Sequence, residues 1–310
     1  MTGPVLAIVG PTAAGKTALS LEVAEALDAE VVSMDSAMVY RGMDIGTDKP
    51  SPSERARVRH HLVDVVPPSH TLTVSEFQSM ARGAVAGILA RGRLPLLVGG
   101  SGLYFRAVVD PLQFPGTDPL VRGRLEQEVA ERGAMALYER LEAADPEAAT
   151  HIHPFNARRT IRALEVLEVT GRPFSSFRTS WEQPRSLYAL TVIGLTEPRP
   201  ELDRRIDARV ESQLARGLVA EVERLVREEQ LRDSATALQA LGYAQILAHL
   251  DGRLSLQEAI DQTKARTRRF ARRQMAWFRA DPRVTWFTSD APGAAAHLLA
   301  HRSPKKGEAA

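Results

Sequence analysis

The spacing of apolar residues changes period along the chain, and each change marks a different kind of element. Val5–Val9 is a continuous apolar run, the pattern of a strand buried on both faces of a parallel sheet. From Thr17 to Leu27 the residues Leu21, Ala24 and Leu27 recur at helical spacing. Further short strands read at Glu30–Met34, His60–Val66 and Leu94–Val98, with a helix over Thr73–Ala90. This alternation predicts a doubly wound α/β sheet with right-handed crossovers. It stops near Pro111. Leu120–Arg132, Met135–Ala143 and Ala157–Thr170 then read as helices, the last opened by Asn156 as N-cap and closed by Gly171. Leu187–Leu195 returns as an apolar strand, so the helical block, which runs to about Ser180, is an insertion into one sheet domain. Arg199–Arg279 is helical again, broken at Gly217, Gly242 and Gly252, and Val284–Phe287 is a final short strand. The tail from Arg302 has the composition of a disordered segment. The expected fold class is α/β: a parallel sheet with helices on both faces, a helical insertion domain and a helical C-terminal part. The expected boundaries are 1–117 for the core, 118–184 for the insertion, 185–301 for the return to the core, and 302–310 for the tail. No internal repeat is present.

Composition excludes several classes. The 310 residues are 44% hydrophobic and 25% charged, ordinary for a globular protein. With no Cys there is neither a disulfide framework nor a thiolate zinc site, which suits a reducing compartment. Thr2–Val9 has no basic lead, long apolar centre or cleavage site, so it does not read as a signal peptide. No apolar run approaches the roughly 20 residues needed to cross a bilayer. A cytoplasmic protein with no membrane association, acting as a monomer, is the expectation. The formal charge of +2 gives no strong field. Its distribution is more informative. Lys264–Arg279 carries seven basic residues and no acidic one, with Phe270, Trp277 and Phe278 between them. That suits a helix packed on one side and facing phosphates on the other. The histidines His60, His61, His151 and His153 are read as structural or solvent-facing, because adjacent strand residues such as His60 and His61 point to opposite faces.

The strongest chemical signal is Gly10-Pro11-Thr12-Ala13-Ala14-Gly15-Lys16-Thr17, a full match to G-x-x-x-x-G-K-[ST] between a buried strand and a helix. Glycines let the backbone wrap an anion, the loop amides and the helix N-terminus point at it, Lys16 neutralises charge, and Thr17 can ligate Mg²⁺. The expected sheet is therefore a P-loop sheet. The loop identifies a phosphate chain and not what is attached to it. Leu94–Val98 ends in Gly99-Gly100-Ser101 without the acidic residue that usually holds the Mg²⁺ shell. Asp35 does end a strand, and on spacing alone it reads as a metal-shell ligand, a general base or the cap of the following turn.

With those residues in view, the chain resembles the tRNA dimethylallyltransferase family, also called tRNA isopentenyltransferase. The resemblance rests on GPTAAGKT (10–17), DSAMVYRGMDIGTDKP (35–50), LLVGGSGLYFRA (96–107), HPFNARRTIRALEV (153–166), LGYAQ (241–245) and RRFARRQMAWFR (268–279). They occur in family order over nearly the whole chain. The resemblance implies transfer of a dimethylallyl group from dimethylallyl diphosphate to the N6 amine of the adenine 3′ of the anticodon in tRNA, with Mg²⁺ as cofactor and diphosphate released. An aryl amine is a poor nucleophile and needs a base to take its proton. The resemblance puts that base at Asp35, with Lys16 and Ser101 beside it; Ser101 stands where the family usually carries Thr. It implies contacts with the anticodon stem-loop at Asp35, Ser36, Ala37, Met38 and Ser101, at Arg122, Arg158, Arg159, Thr160, Ile161 and Arg162 in the insertion, and at Gly242 and Tyr243. The alternatives are a P-loop kinase for a small acceptor, an adenylate isopentenyltransferase acting on free AMP, ADP or ATP, and an RNA-binding module with a vestigial loop. The missing acid after Val98 and the basic C-terminal third speak against the kinase. The Arg158–Arg162 cluster speaks for a macromolecular acceptor.

Overall fold

The computed structural model describes residues 3–177, 184–234, 236–289 and 293–300. The stretch 178–183, into which the helical reading to Ser180 extends, and the tail from Arg302 lie outside them. In chain order the elements are β1 (Pro4–Val9), α1 (Lys16–Leu27), β2 (Ala29–Ser33), α2 (Pro52–Arg57), β3 (His60–His61), α3 (Val74–Ala90), β4 (Leu94–Gly99) and α4 (Gly102–Val109). There follow α5 (Pro119–Ala144), α6 (Pro146–Ala149), α7 (Ala157–Thr170), β5 (Ala189–Thr196), α8 (Arg199–Ala215), α9 (Leu218–Glu228), α10 (Tyr243–Leu250), α11 (Leu256–Arg279), β6 (Val284–Thr288) and α12 (Gly293–Leu299). The six strands form one parallel sheet in the order β3-β2-β4-β1-β5-β6.

Both faces of this sheet are covered, which explains why β1 shows no alternation. Val5, Ala7 and Val9 face one way and pack with Val32, Leu97 and, from α3, Phe77, Ala81 and Val85. Leu6 and Ile8 face the other way and pack with Leu96, Ile193 and, from α1, Leu21 and Ala24. Fully burying such a side chain contributes about 1.5–3 kcal/mol. A polar residue at any of these positions would face an apolar layer on either side. The doubly wound α/β class expected from the spacing is the class observed.

The chain divides into two compact units, one of residues Met1–Val109 with Leu187–Ala310 and one of Asp110–Ser186. The second has its own core, in which Leu125, Leu137 and Leu141 of α5 pack with Ile161 and Leu164 of α7. Gly133 (φ 84°, ψ 163°) breaks α5 between the two helices read there.

Two local readings are corrected. The strand expected over His60–Val66 is only His60–His61 long, because Leu62 (φ 62°) and Asp64 (φ 59°) turn left-handed and bend the chain out of the sheet. From Asp64 to Val66 it runs beside Met38–Arg41 instead, with backbone bonds from Asp64 to Met38 and from Val65 to Val39 and a bridge between Val66 and Tyr40. The helical text between Gly217 and Gly242 ends at Glu228, and only short 3₁₀ turns at Leu231–Asp233 and Ala237–Gln239 follow.

Candidate functional site

Strand order alone gathers the site. β2, β4 and β1 are neighbours, so the loops that leave their carboxyl ends converge, as expected where a doubly wound sheet binds its ligands. Those loops carry Asp35, Ser101 and Gly10–Thr17. They open onto one cleft of about 490 Å³ lined by Thr12, Lys16, Thr17, Asp35, Ser101 and Arg209, among others. Ser36, Ala37 and Met38 line it as well.

The phosphate loop depends on glycine at its first position. Gly10 sits at φ 139°, and a Cβ there would lie 2.5 Å from the Leu195 carbonyl oxygen. Gly15 (φ 83°) then turns the chain into α1. Lys16 Nζ donates to the Pro11 carbonyl at 2.6 Å, which holds the ammonium against the loop. Burial, aided by the nearby Arg209 and opposed by Asp35, lowers its pKa to about 7.

Asp35 leaves β2 at the cleft. Its Oδ1 accepts from the amides of Ala37 (2.8 Å) and Met38 (3.4 Å). The carboxylate therefore caps its turn with one oxygen, and Oδ2 carries no hydrogen bond to the described residues. Capping and a chemical role are compatible here, because each uses a different oxygen. Ser101 opens α4, its hydroxyl 3.5 Å from the Tyr104 amide.

Several cleft residues lay outside the candidate set. Arg209 of α8 donates to Thr12 Oγ1 (3.0 Å) and pairs with Asp48 (2.5 Å), linking the phosphate loop to the segment after β2. Nothing around Arg209 in the sequence distinguishes it from the other arginines of its helix. Gln274 Oε1 accepts from the Thr12 amide at 2.9 Å. The basic helix α11 thus packs directly on the phosphate loop. The approach is close enough to require glycine opposite: a Cβ on Gly100 would lie 2.2 Å from Gln274 Nε2, and one on Gly102 2.1 Å from the Trp277 ring. On the same helix Arg268 pairs with Asp207 and Lys264 with Glu211, while Arg266, Arg269 and Arg272 are exposed.

The residues expected to meet RNA fall into two sets. Tyr243 is fully buried and donates to Glu221 Oε1 at 2.7 Å. Glu221 also accepts the amides of Asp44, Ile45 and Gly46 at 2.8–3.2 Å. Tyr243 is thus a strut behind the segment that carries Thr47 and Asp48, and Gly242 (φ 94°) is the turn before it. In the insertion Thr160 and Ile161 face the unit's core, with Thr160 donating to the Asn156 carbonyl, so neither presents a side chain outward. Arg122 and Arg162 converge on the buried Glu165, each at 2.7 Å. Arg158 and Arg159 are exposed and have no ion-pair partner among the described residues. His61 pairs with the buried Glu30 at 2.6 Å, and His60 bonds the Val58 carbonyl at the edge of the cleft. His151 and His153 are exposed.

Two family models match: IPP transferase over residues 38–281 and Isopentenyl transferase over residues 3–67. The tRNA dimethylallyltransferase of Salinispora tropica is 52% identical over 297 residues, spanning 96% of this chain and 92% of that one. The chain belongs to the tRNA dimethylallyltransferase family. The Thermobifida fusca member is 53% identical over 293 residues, 93% of this chain and 91% of that one. Among solved structures, the tRNA isopentenylpyrophosphate transferase of Bacillus halodurans is 42% identical with a TM-score of 0.70, covering 97% of this chain and 95% of that one. A eukaryotic dimethylallyltransferase described as acting on tRNA is 25% identical with a TM-score of 0.82, covering 99% of this chain and 82% of that one. The two family models together span residues 3–281, so the phosphate loop, Asp35, Ser101 and the insertion all lie within matched segments.

Proposed function

We propose that the chain transfers a dimethylallyl group from dimethylallyl diphosphate to the N6 amine of the adenine 3′ of the anticodon in tRNA, releasing diphosphate. The observation that carries this reading is the convergence of three groups on one cleft: the phosphate loop with Lys16, the free Oδ2 of Asp35, and the Ser101 hydroxyl. The loop amides and Lys16 hold the diphosphate and neutralise the charge that grows on it as the allylic C–O bond breaks. Asp35 Oδ2 accepts the N6 proton as the new C–N bond forms. The target base must leave its stack to reach that oxygen.

Mg²⁺ fits this cleft. Among the described residues no group of three or more His, Cys, Asp or Glu side chains is placed to enclose a metal ion. Mg²⁺ needs no such cage, since it keeps several waters and takes one or two protein ligands alongside substrate phosphates. Thr17, exposed at the start of α1, is the residue that would hold it. Bound there, the ion would add to the charge neutralisation of the diphosphate. No helix among the described residues is long and apolar enough to cross a membrane, and the lack of cysteine suits a reducing compartment. The cytoplasm is the proposed place of action.

The test is nucleoside analysis of bulk tRNA after incubation with dimethylallyl diphosphate. N6-dimethylallyladenosine with stoichiometric diphosphate is the expected outcome. Allylation of free AMP with none of tRNA would overturn the acceptor, and ADP formed from ATP would overturn the reaction class.

A second expectation concerns protons. Lys16 has a pKa near 7 with the loop free of anion. A bound diphosphate stabilises the ammonium and raises that value. Above pH 7, binding should therefore take up a proton, approaching one per site as pH rises toward the bound-state value. Titration calorimetry of inorganic diphosphate in buffers of differing ionisation enthalpy measures the uptake. Proton release, or none at pH 8, would contradict the assigned charge state.

A further inference from the structure

Several apolar side chains of the insertion are exposed, among them Leu120, Met135 and Val169, and Phe155 is the one aromatic ring in that group. Phe155 is 72% exposed, at the tip of a turn between α6 and α7. The turn is well fixed. The Asn156 amide donates to the His153 carbonyl at 2.8 Å, and the Phe155 amide lies 3.3 Å from His153 Nδ1. Pro154 holds the position that presets φ in such a turn. On the other side Asn156 Oδ1 accepts from the Arg159 amide at 3.2 Å, which locks the turn to the start of α7. Phe155 therefore projects from a fixed backbone, and ordering it against a partner costs little conformational freedom.

Its neighbours indicate the partner. Arg158 and Arg159 occupy the first turn of α7, where the helix dipole disfavours cations, and the turn has no acidic residue. Both are exposed, and neither has an ion-pair partner among the described residues, whereas Arg122 and Arg162 are tied to Glu165. An exposed ring and two unneutralised guanidiniums on one short segment are each unfavourable in the free protein. A partner with flat apolar faces and a phosphate backbone relieves both at once. An acidic protein surface would answer the arginines alone. An unpaired stretch of RNA satisfies both.

We propose that Phe155 is a stacking platform for an unpaired base of the acceptor RNA, with Arg158 and Arg159 gripping the adjoining phosphates. This rests on tRNA being the acceptor. Stacking on the ring supplies affinity without reading sequence, and it fixes the loop relative to the insertion.

The decisive measurement is the affinity of full-length protein for a synthetic anticodon stem-loop, taken as a function of salt. Phe155→Ala should weaken binding by about 5- to 150-fold, the range for removal of one base–aromatic stack. The slope of log affinity against log salt should stay at the parent value, because both phosphate-gripping arginines remain. Arg158→Ala with Arg159→Ala should instead flatten that slope by about 1 for each phosphate no longer held. Phe155→Trp should keep parent affinity, and its added indole emission should be quenched by the stem-loop. Phe155→Leu keeps apolar area without a ring and should bind as poorly as the Ala variant. The thermal midpoint should not move in any Phe155 variant, since the side chain is outside the core. Parent-like affinity in Phe155→Ala or Phe155→Leu would overturn the platform. So would an equal loss on a fully paired RNA duplex, which offers no free base face. If the parent modifies tRNA and these variants bind normally, only the platform fails. A parent that neither binds nor modifies tRNA would remove the acceptor assignment and the platform with it.

Discussion

Asp35→Asn is expected to lower kcat by roughly 10²–10⁴-fold while leaving tRNA affinity, the KM for dimethylallyl diphosphate and the thermal midpoint close to their parent values. The geometry makes this substitution unusually clean. Oδ1 of Asp35 accepts from the Ala37 and Met38 amides, and an asparagine keeps that oxygen in place. Only Oδ2 is replaced, by an NH₂ that cannot accept a proton. Asp35→Ala would remove the cap as well and mix a folding defect into the kinetics. Losing a cap of this kind costs about 1 kcal/mol, so Ala should show a lowered thermal midpoint where Asn does not. Single-turnover rates with saturating tRNA and allylic diphosphate separate chemistry from binding. Asn at more than about a tenth of the parent rate would remove Asp35 as the base and leave it as a turn cap.

How much of this could be read from the sequence depended on whether the signal was local. The phosphate loop was fully legible: its glycines, lysine and hydroxyl are contiguous, and the strand before and helix after can be seen from spacing. The insertion was legible because the period of apolar residues changes at Pro111 and changes back at Leu187. Gly133, Gly217 and Gly252 break the helical run where they were expected to, each at positive φ, whereas the helix expected to reach Gly242 stops at Glu228. β3 was overextended because His60–Val66 looks apolar enough for a strand, and nothing in residue identity announces that Leu62 and Asp64 adopt left-handed backbone. The missed cleft residues share one property. Arg209 lies 197 positions from Thr12 in sequence, and Gln274 lies 262 positions away. Pairings over such separations leave no periodic trace. Tyr243 shows the reverse case. Its position in a shared motif suggested a ligand contact, whereas burial and the bond to Glu221 make its side chain a support for the Asp44–Gly46 backbone. Burial likewise turns Thr160 and Ile161 inward, since alternate faces of an amphipathic helix cannot all reach a ligand.

Removing the Lys16 charge should produce the other large effect, and Lys16→Met is the informative variant because it keeps the side chain's length in the loop. The ammonium is held by the Pro11 carbonyl at 2.6 Å in the cleft that Asp35 also lines, where burial lowers its pKa. Such a group is poorly solvated, so its charge is not screened when a diphosphate arrives. As the allylic C–O bond breaks, negative charge accumulates on the departing oxygen, and a fixed cation there stabilises the transition state more than the ground state. Loss of one preorganised group of this type costs roughly 10²–10³-fold in kcat. Lys16→Met should therefore fall by that amount in kcat/KM for dimethylallyl diphosphate, with stem-loop affinity little changed. The pH profile gives the sharper readout, because kcat/KM reports ionisations of the free enzyme. With a pKa of about 7 in the free loop, Lys16 carries its charge below that pH and loses it above. The parent kcat/KM should decline as pH rises through that value, and Lys16→Met, already without the charge, should lack that alkaline limb. A substrate ionisation would give both proteins the same limb. A Lys16→Met variant that keeps the limb, or retains more than about a third of the parent kcat/KM, would show that the leaving diphosphate is neutralised by other groups.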